Sequence, residues 1–124
     1  MKILTIGDVV GEAGLDALHA LLRRIKRDVG ADFVIVNGEN AAGNGVLPRQ
    51  AEDIFDAGAD VVTLGNHAFG KQQIVPYLDE HSDILRPANL APQSPGQGWG
   101  IFDGPQGSRL LVIDLIGRCD MKYG

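Results

Sequence analysis

The stretch FVIVNGEN, at residues 33–40, decides the predicted fold. Its first four residues are apolar and mostly β-branched, which is typical of a strand buried on both faces, and a polar turn follows them. The same order of apolar run and polar turn occurs in ILTIGD (3–8) and VVTLGNH (61–67). Amphipathic helical patterns separate the three runs, one from Leu15 to a stop at Gly30 and one from about 48 to 57. This alternation predicts an α/β fold built mainly from parallel β-α-β units.

The remainder of the chain begins with another short helix, predicted from about residue 71 to 78. A loop rich in proline, glycine and glutamine then precedes two apolar runs, WGIFDG (99–104) and RLLVIDLIG (109–117). The turn-forming segment GPQG (104–107) lies between them. This arrangement predicts a C-terminal β-hairpin.

Composition limits the class of protein. The 124 residues are 44% hydrophobic and 22% charged, an ordinary balance for one soluble domain, predicted over residues 1–124. The formal net charge is −5 with scattered acidic residues, which disfavours a nucleic-acid partner. The N-terminal apolar run is too short for a signal peptide or a membrane span. The single Cys119 excludes an internal disulfide and is predicted to lie in or near the core. Together these features predict a cytoplasmic protein without a membrane anchor.

Polar side chains follow each of the three predicted strands. They are Asp8, Glu39 with Asn40, and Asn66 with His67. Because the carboxyl ends of parallel strands lie along one edge of a sheet, these groups are expected to share that edge, where ligands of open α/β sheets bind. Oxygen ligands suit hard divalent ions, and a histidine extends the choice to zinc, iron or manganese. Turn formation or helix capping is the better explanation of any single cluster, but three equivalent clusters favour a metal site.

Other candidate sites are weaker. The spacing of Gly7, Gly11 and Gly14 does not match the glycine fingerprint of a dinucleotide site, and the sequence contains no P-loop. His19 lies beside the apolar stripe of the first helix and is predicted to be a packed or capping residue. His81 lies in a polar turn and is predicted to be solvated.

Five ordered segments carry a family resemblance. They are GDVVGEAG (7–14), NGENAAGNG (37–45), GNHAFGKQQI (65–74), RPANL (86–90) and VIDLIGR (112–118). Together they resemble the YmdB-like branch of the calcineurin-like metallophosphoesterases. The resemblance implies the N-terminal half of an α/β/β/α sandwich, and it implies a hydrolase acting on small phosphodiesters, such as cyclic nucleotides, or on phosphomonoesters.

The resemblance also implies roles for the strand-end residues. Asp8 and Asn40 match ligands of a first metal ion, Glu39 matches a carboxylate that bridges two ions, and Asn66 matches a ligand of the second ion. His67 matches the catalytic histidine beside the phosphate. The implied cofactors are two divalent ions, of iron, manganese or zinc.

Two departures from the family pattern leave an alternative open. The residues after His67 lack the acidic position usual in the family, and no histidine follows His81, although the family supplies further metal histidines. Two divalent ions require about eight to twelve ligand positions, more than five side chains provide. The alternative is a non-catalytic remnant or a truncated chain with a partial metal site. Such a chain would act by association, for instance as a homo-oligomer.

Overall fold

Four parallel strands form the central sheet of the computed structural model, which describes residues 1–117 and Cys119. The strands are β1 (Ile3–Ile6), β2 (Phe33–Asn37), β3 (Val61–Thr63) and β4 (Ile84–Leu85), and they lie side by side in that order. The three strands predicted from sequence are confirmed. The fourth was missed, because a two-residue strand carries no periodicity and is defined only by its pairing with β3.

Three helices connect the strands: α1 (Gly11–Val29), α2 (Pro48–Ala57) and α3 (Ile74–Glu80). Helix α1 begins four residues before its predicted start, since its first turn lacks the apolar spacing that marks the rest. Gly30 caps its C-terminal end with a left-handed backbone (φ 69°), and the cap N–H is directed to the carbonyls of Arg27 and Lys26. Helix α2 has the predicted bounds, with Pro48 in the first turn.

Both faces of the sheet are covered by other elements, and this explains why the sequences of its strands are unbroken apolar runs. One face packs against the helices, through buried residues that include Val34, Val36, Val62, Leu22 and Ile54. The other face packs against an antiparallel hairpin, β5 (Trp99–Asp103) and β6 (Arg109–Ile113). The Phe33 and Phe102 rings meet there with centroids 5.9 Å apart. Helices, parallel sheet and hairpin therefore form three layers, and the predicted α/β fold class is confirmed.

The outer face of the hairpin is apolar and exposed. Five large apolar side chains on this face are each more than half exposed: Trp99, Ile101, Leu111, Ile113 and Leu115. We call these five residues the hairpin face. Such a contiguous apolar surface is unusual for a protein surface with no partner. No helix in the described part of the chain is both long and apolar enough to cross a bilayer.

Three predictions about isolated side chains are wrong. His19 is exposed instead of packed, because the polar side of α1 faces solvent. His81 is half-buried instead of solvated, since its ring stacks on Tyr77 with centroids 3.8 Å apart. Cys119 is exposed instead of lying in the core. Arg118, the last residue of the VIDLIGR segment, lies outside the described residues.

Candidate metal centre

The predicted polar residues lie on loops at the carboxyl edge of the parallel sheet. Asp8 follows β1 by two residues, Glu39 and Asn40 follow β2, and Asn66 and His67 follow β3. Parallel pairing of β1 with β2 and of β2 with β3 aligns these strand ends. The sheet topology therefore brings the three loops to one edge.

Asp8 and Asn40 form the first contact of the site. The Asn40 Nδ2 amide donates a hydrogen bond of 2.7 Å to Asp8 Oδ1. Asp8 has a φ of 33°, a left-handed conformation that few residues other than glycine adopt. The strained turn is held by backbone bonds from Val9 N to the Asn37 carbonyl and from Gly11 N to the Asn40 carbonyl. Strain of this kind is concentrated at functional sites.

Glu39 and His67 form the second contact. The His67 backbone N–H donates to Glu39 Oε1 over 2.8 Å, and His67 Nδ1 lies 3.2 Å from the same oxygen. The Glu39 side chain is 13% exposed, whereas that of His67 is 40% exposed. The carboxylate is thus nearly buried while part of the imidazole remains open to solvent.

Gly65 allows the two loops to approach each other this closely. A Cβ atom at this position would overlap the carboxylate of Glu39, closer than any contact that real Cβ atoms make. Any larger residue would therefore move the Glu39 side chain. The glycine of the Gly65-Asn66-His67 turn is required by the position of an acidic group of the site.

Asn66 is not joined to this cluster. Its side chain is exposed and makes no hydrogen bond to the residues that the structure describes. Within the described residues, Asn66 is linked to the other groups through the backbone, at His67. Four of the five predicted residues are therefore in contact as two pairs, and the fifth lies beside them.

The donor atoms of this cluster fit a divalent ion. Asn40 Oδ1 and His67 Nδ1 are both buried and lack a hydrogen-bond partner within the described residues. Glu39 Oε1 lies 3.2 Å from Nδ1 as an ion-pair contact, without the geometry of a hydrogen bond. An unpartnered buried polar atom is costly unless a ligand satisfies it. Carboxylate and amide oxygens with an imidazole nitrogen suit manganese, iron or zinc. No group of three or more His, Cys, Asp or Glu side chains arranged to hold a metal is found within residues 1–117 and 119, so the fit is to part of a site.

Asp114, which sequence reasoning missed, lies behind the cluster. It directly follows β6, is only 9% exposed, and its Oδ2 accepts the Leu64 N–H over 3.0 Å. Burial raises the pKa of Asp114 to about 6; the Leu64 hydrogen bond opposes this shift and the charge of Glu39 adds to it. An apolar run that ends in an aspartate, as in ILTIGD, was the signal that could have identified it.

Arg86 is a second buried polar residue that the sequence did not assign. It is 6% exposed, and its guanidinium donates to the carbonyls of Pro87, Ser94, Pro95 and Gly96. The charge thus organises the loop between β4 and β5 through backbone oxygens. This role concerns the fold of the loop and not the cluster of acids.

The layered fold, with an acidic cluster at the carboxyl edge of its parallel sheet, defines an α/β protein with a candidate ligand site. The family model described as YmdB-like protein matches residues 4–124. The chain is 39% identical over 119 residues to a 2',3'-cyclic-nucleotide 2'-phosphodiesterase of Bacillus subtilis (strain 168), covering 95% of this chain and 45% of that protein.

Two crystal structures are similar to the fold. A hypothetical protein from Thermus thermophilus matches with a TM-score of 0.89 and 37% identity, over 98% of this chain and 47% of that one. A novel phosphatase from Mycoplasma pneumoniae matches with a TM-score of 0.84 and 29% identity, over 94% and 43% of the two chains.

The chain therefore belongs to the YmdB-like family, as the five segments predicted. Its relatives carry the names of a phosphodiesterase and a phosphatase, which confirms the family resemblance to phosphoesterases. The chain spans about half the length of the relatives that it matches.

Proposed function

We propose that the protein is a metal-dependent phosphoesterase that hydrolyses small phosphodiesters through a two-metal centre. The observation that carries the proposal is the buried, unpartnered Asn40 Oδ1 beside two carboxylates on one edge of the sheet. The name of the Bacillus subtilis relative supports 2',3'-cyclic nucleotides as the substrate class.

The residues of the cluster divide into holding and reacting groups. Asp8, Asn40 and Glu39 would hold a first ion, and Glu39 with Asn66 would hold a second. When bound, the two ions supply an activated water nucleophile and offset negative charge on the phosphate oxygens. The Asp8 and Glu39 charges leave the loaded site with net positive charge, which attracts a phosphoester anion.

His67 is the group that handles the proton of the reaction. Glu39 Oε1 lies 3.2 Å from Nδ1 and orients the ring. The opposite ring nitrogen would donate a proton to the leaving alkoxide. The backbone N–H of His67 also holds the Glu39 carboxylate in place. One residue therefore fixes an acidic ligand and supplies a proton.

Metal content and turnover test this function together. We expect the purified chain to retain manganese, iron or zinc and to cleave bis-(p-nitrophenyl) phosphate and a 2',3'-cyclic nucleotide. The His67→Ala and Asn66→Ala variants should lose this activity, whereas His19→Ala, a change of an exposed histidine on α1, should retain it. Absence of turnover with all three metals would overturn the proposal.

A second candidate is association without catalysis, with a partial metal site. It is favoured by the exposed hairpin face and by the small number of ionisable ligands in the part of the chain that the structure describes. This candidate predicts weak metal retention and a concentration-dependent homo-oligomer. Analytical ultracentrifugation of the wild-type chain and of Ile101→Glu distinguishes it, because the charge should abolish self-association through that face.

The cytoplasmic location and the absence of a nucleic-acid partner belong to the proposal as well. The location rests on the single cysteine, and the absence of a nucleic-acid partner rests on the net charge of −5. Cell fractionation tests the location, and a band-shift assay with duplex DNA at low salt tests the partner.

A further inference from the structure

Asp114 connects the hairpin layer to the loop that carries His67. Its Oδ2 accepts the backbone N–H of Leu64, a residue fifty positions earlier that lies directly before Gly65-Asn66-His67. The same N–H also points to the Leu85 carbonyl at 2.9 Å, so it is shared between two acceptors. The bond to Leu85 continues the hydrogen bonding of the parallel sheet, whereas Asp114 belongs to the segment that follows the hairpin strand β6.

Asp114 is itself firmly held. Its backbone N–H donates to the Gly98 carbonyl over 2.9 Å, and its carbonyl accepts the Ala88 N–H over 2.6 Å. Both partners belong to the loop between β4 and β5, which Arg86 organises. The carboxylate is therefore presented to Leu64 from a fixed backbone and not from a mobile loop.

The loop from Leu64 to His67 is thereby held at both ends by carboxylates. Asp114 binds the N–H of Leu64, and Glu39 binds the N–H of His67. Between these two points lie Gly65, which faces the Glu39 carboxylate, and the exposed Asn66. The positions of two proposed site residues thus depend on two acids that come from different layers of the fold.

We propose that Asp114 is a positioning residue, which fixes the Gly65-Asn66-His67 loop in the geometry that phosphoester hydrolysis requires. The inference rests on the proposed function, and it deepens that function by adding a residue that contacts neither substrate nor metal. Misplacement of a reacting group by about 1 Å can cost as much as a hundredfold in rate. Because Leu85 still holds the Leu64 N–H, the expected loss is smaller.

Asparagine and alanine at position 114 separate the hydrogen bond from the charge. Asp114→Asn keeps an oxygen that accepts the Leu64 N–H, whereas Asp114→Ala removes the acceptor. A role in positioning therefore predicts rescue by asparagine. A role of the negative charge itself predicts that both variants fail alike.

Asp60 offers a matched control at the opposite edge of the sheet. Its Oδ2 accepts the backbone N–H of Val34 over 2.8 Å, the same type of bond made to the start of β2 instead of the end of β3. Asp60→Ala thus removes an equivalent anchor away from the strand-end cluster. A purely structural role of Asp114 would give the two alanine variants the same behaviour.

The experiment measures kcat and KM with Mn²⁺ and bis-(p-nitrophenyl) phosphate, well below the Tm of every variant, together with amide hydrogen exchange at Leu64 and His67. We expect Asp114→Ala to lose about tenfold in kcat at nearly constant KM, with faster exchange at both amides. Asp114→Asn should stay within about threefold of wild type, and Asp60→Ala should keep its kcat while exchange rises at Val34.

Two results would overturn the inference: a loss of kcat in Asp114→Ala no larger than in Asp60→Ala, or failure of Asp114→Asn to the same extent as alanine. If alanine prevents folding, Asp114→Ser replaces it, since serine is polar but too short to reach Leu64. If the wild-type chain has no activity, the proposed function fails, and hydrogen exchange alone decides: unchanged exchange at Leu64 and His67 overturns the positioning role.

Discussion

Aspartates and glutamates line both edges of the parallel sheet, but their surroundings differ. At the amino edge, Asp32 and Asp60 each accept a backbone N–H, from Lys2 and Val34, and each returns its own N–H to the carbonyl of the same residue. These reciprocal pairs satisfy the backbone groups on both sides of each contact. Acids at this edge are therefore part of the fold.

At the carboxyl edge the acids Asp8 and Glu39 accept hydrogen bonds from Asn40 and His67, but a second polar atom of each of these partners stays unpaired. Asp8 has a strained backbone, and Asn40 Oδ1 and His67 Nδ1 are buried without hydrogen-bond partners in the described part of the chain. A fold gains nothing from such an arrangement, because each unpartnered buried group costs about 1–3 kcal/mol. The contrast teaches that unsatisfied polar atoms beside the acids distinguish the carboxyl edge from the amino edge, where both sides of each contact are satisfied.

The largest expected effect comes from removing a charge at the carboxyl edge. Glu39→Gln keeps the size of the side chain and an acceptor for the His67 N–H, but it removes the negative charge that a divalent ion requires. We expect metal affinity and turnover to fall at least about a hundredfold with little change in Tm. Isothermal titration with Mn²⁺ and phosphodiester turnover measure this.

The matched change at the amino edge is Asp32→Asn. It should lower the Tm slightly and leave metal affinity unaltered, since the Asp32 carboxylate binds the Lys2 backbone at the far end of the strands. Equal loss of metal affinity in both variants would abolish the distinction between the two edges.

A smaller effect is expected from adding one methyl group beside Glu39. Gly65→Ala would push the flexible Glu39 carboxylate aside and not the backbone, so we expect turnover to fall about tenfold while the Tm changes little. Gly7→Ala is the control, because Gly7 also ends a strand of the same sheet but a Cβ there meets no atom within 4 Å. Wild-type turnover in Gly65→Ala would show that the close approach is not needed.

The pH dependence of stability probes the acid behind the site. Burial raises the pKa of Asp114 from 3.8 to about 6, so between these values the folded state binds a proton that the unfolded state releases. Its contribution to stability is therefore present at pH values below about 3.8 and is lost as the pH rises through 6. We expect Asp114→Asn to match wild type at about pH 4 and to exceed its Tm by about 4 °C at about pH 7.5, roughly 1 kcal/mol.

Thermal melts in EDTA measure this difference without interference from metal ions. A constant Tm difference between the two proteins at both pH values would contradict the raised pKa.

Short-range patterns in the sequence were sufficient to predict most of the fold. The apolar run in FVIVNGEN predicted a strand buried on both faces. The prediction is correct because alternating side chains of β2 pack against two different apolar layers. The parallel order then placed Asp8, Glu39 and His67 on one edge. Strand β4 could not be predicted, since two residues become a strand only through pairing with β3.

The finer geometry of the site required contacts between distant residues. The link from Asp114 to Leu64 joins positions fifty residues apart and has no local signature. Likewise, the choice of Glu39 as the partner of His67, with Asn66 left outside the contact, depends on how two loops meet. Residue type and strand position predicted which residues share the carboxyl edge of the sheet, but only the packing of the loops determined the pairs.

The smallest effect on metal binding and turnover is expected at the turn that precedes Asp32 on the amino edge. Gly30 adopts φ 69° and ψ 37°, and a side chain in this left-handed conformation costs about 1–2 kcal/mol. Gly30→Ala should therefore lower the Tm by several degrees, while metal affinity and kcat stay at wild-type values well below the Tm. Gly30→Asn is the control, because asparagine tolerates this conformation better and should recover part of the loss. If Gly30→Ala impaired metal binding, strain at the amino edge would be transmitted to the site, and the two edges would not be independent.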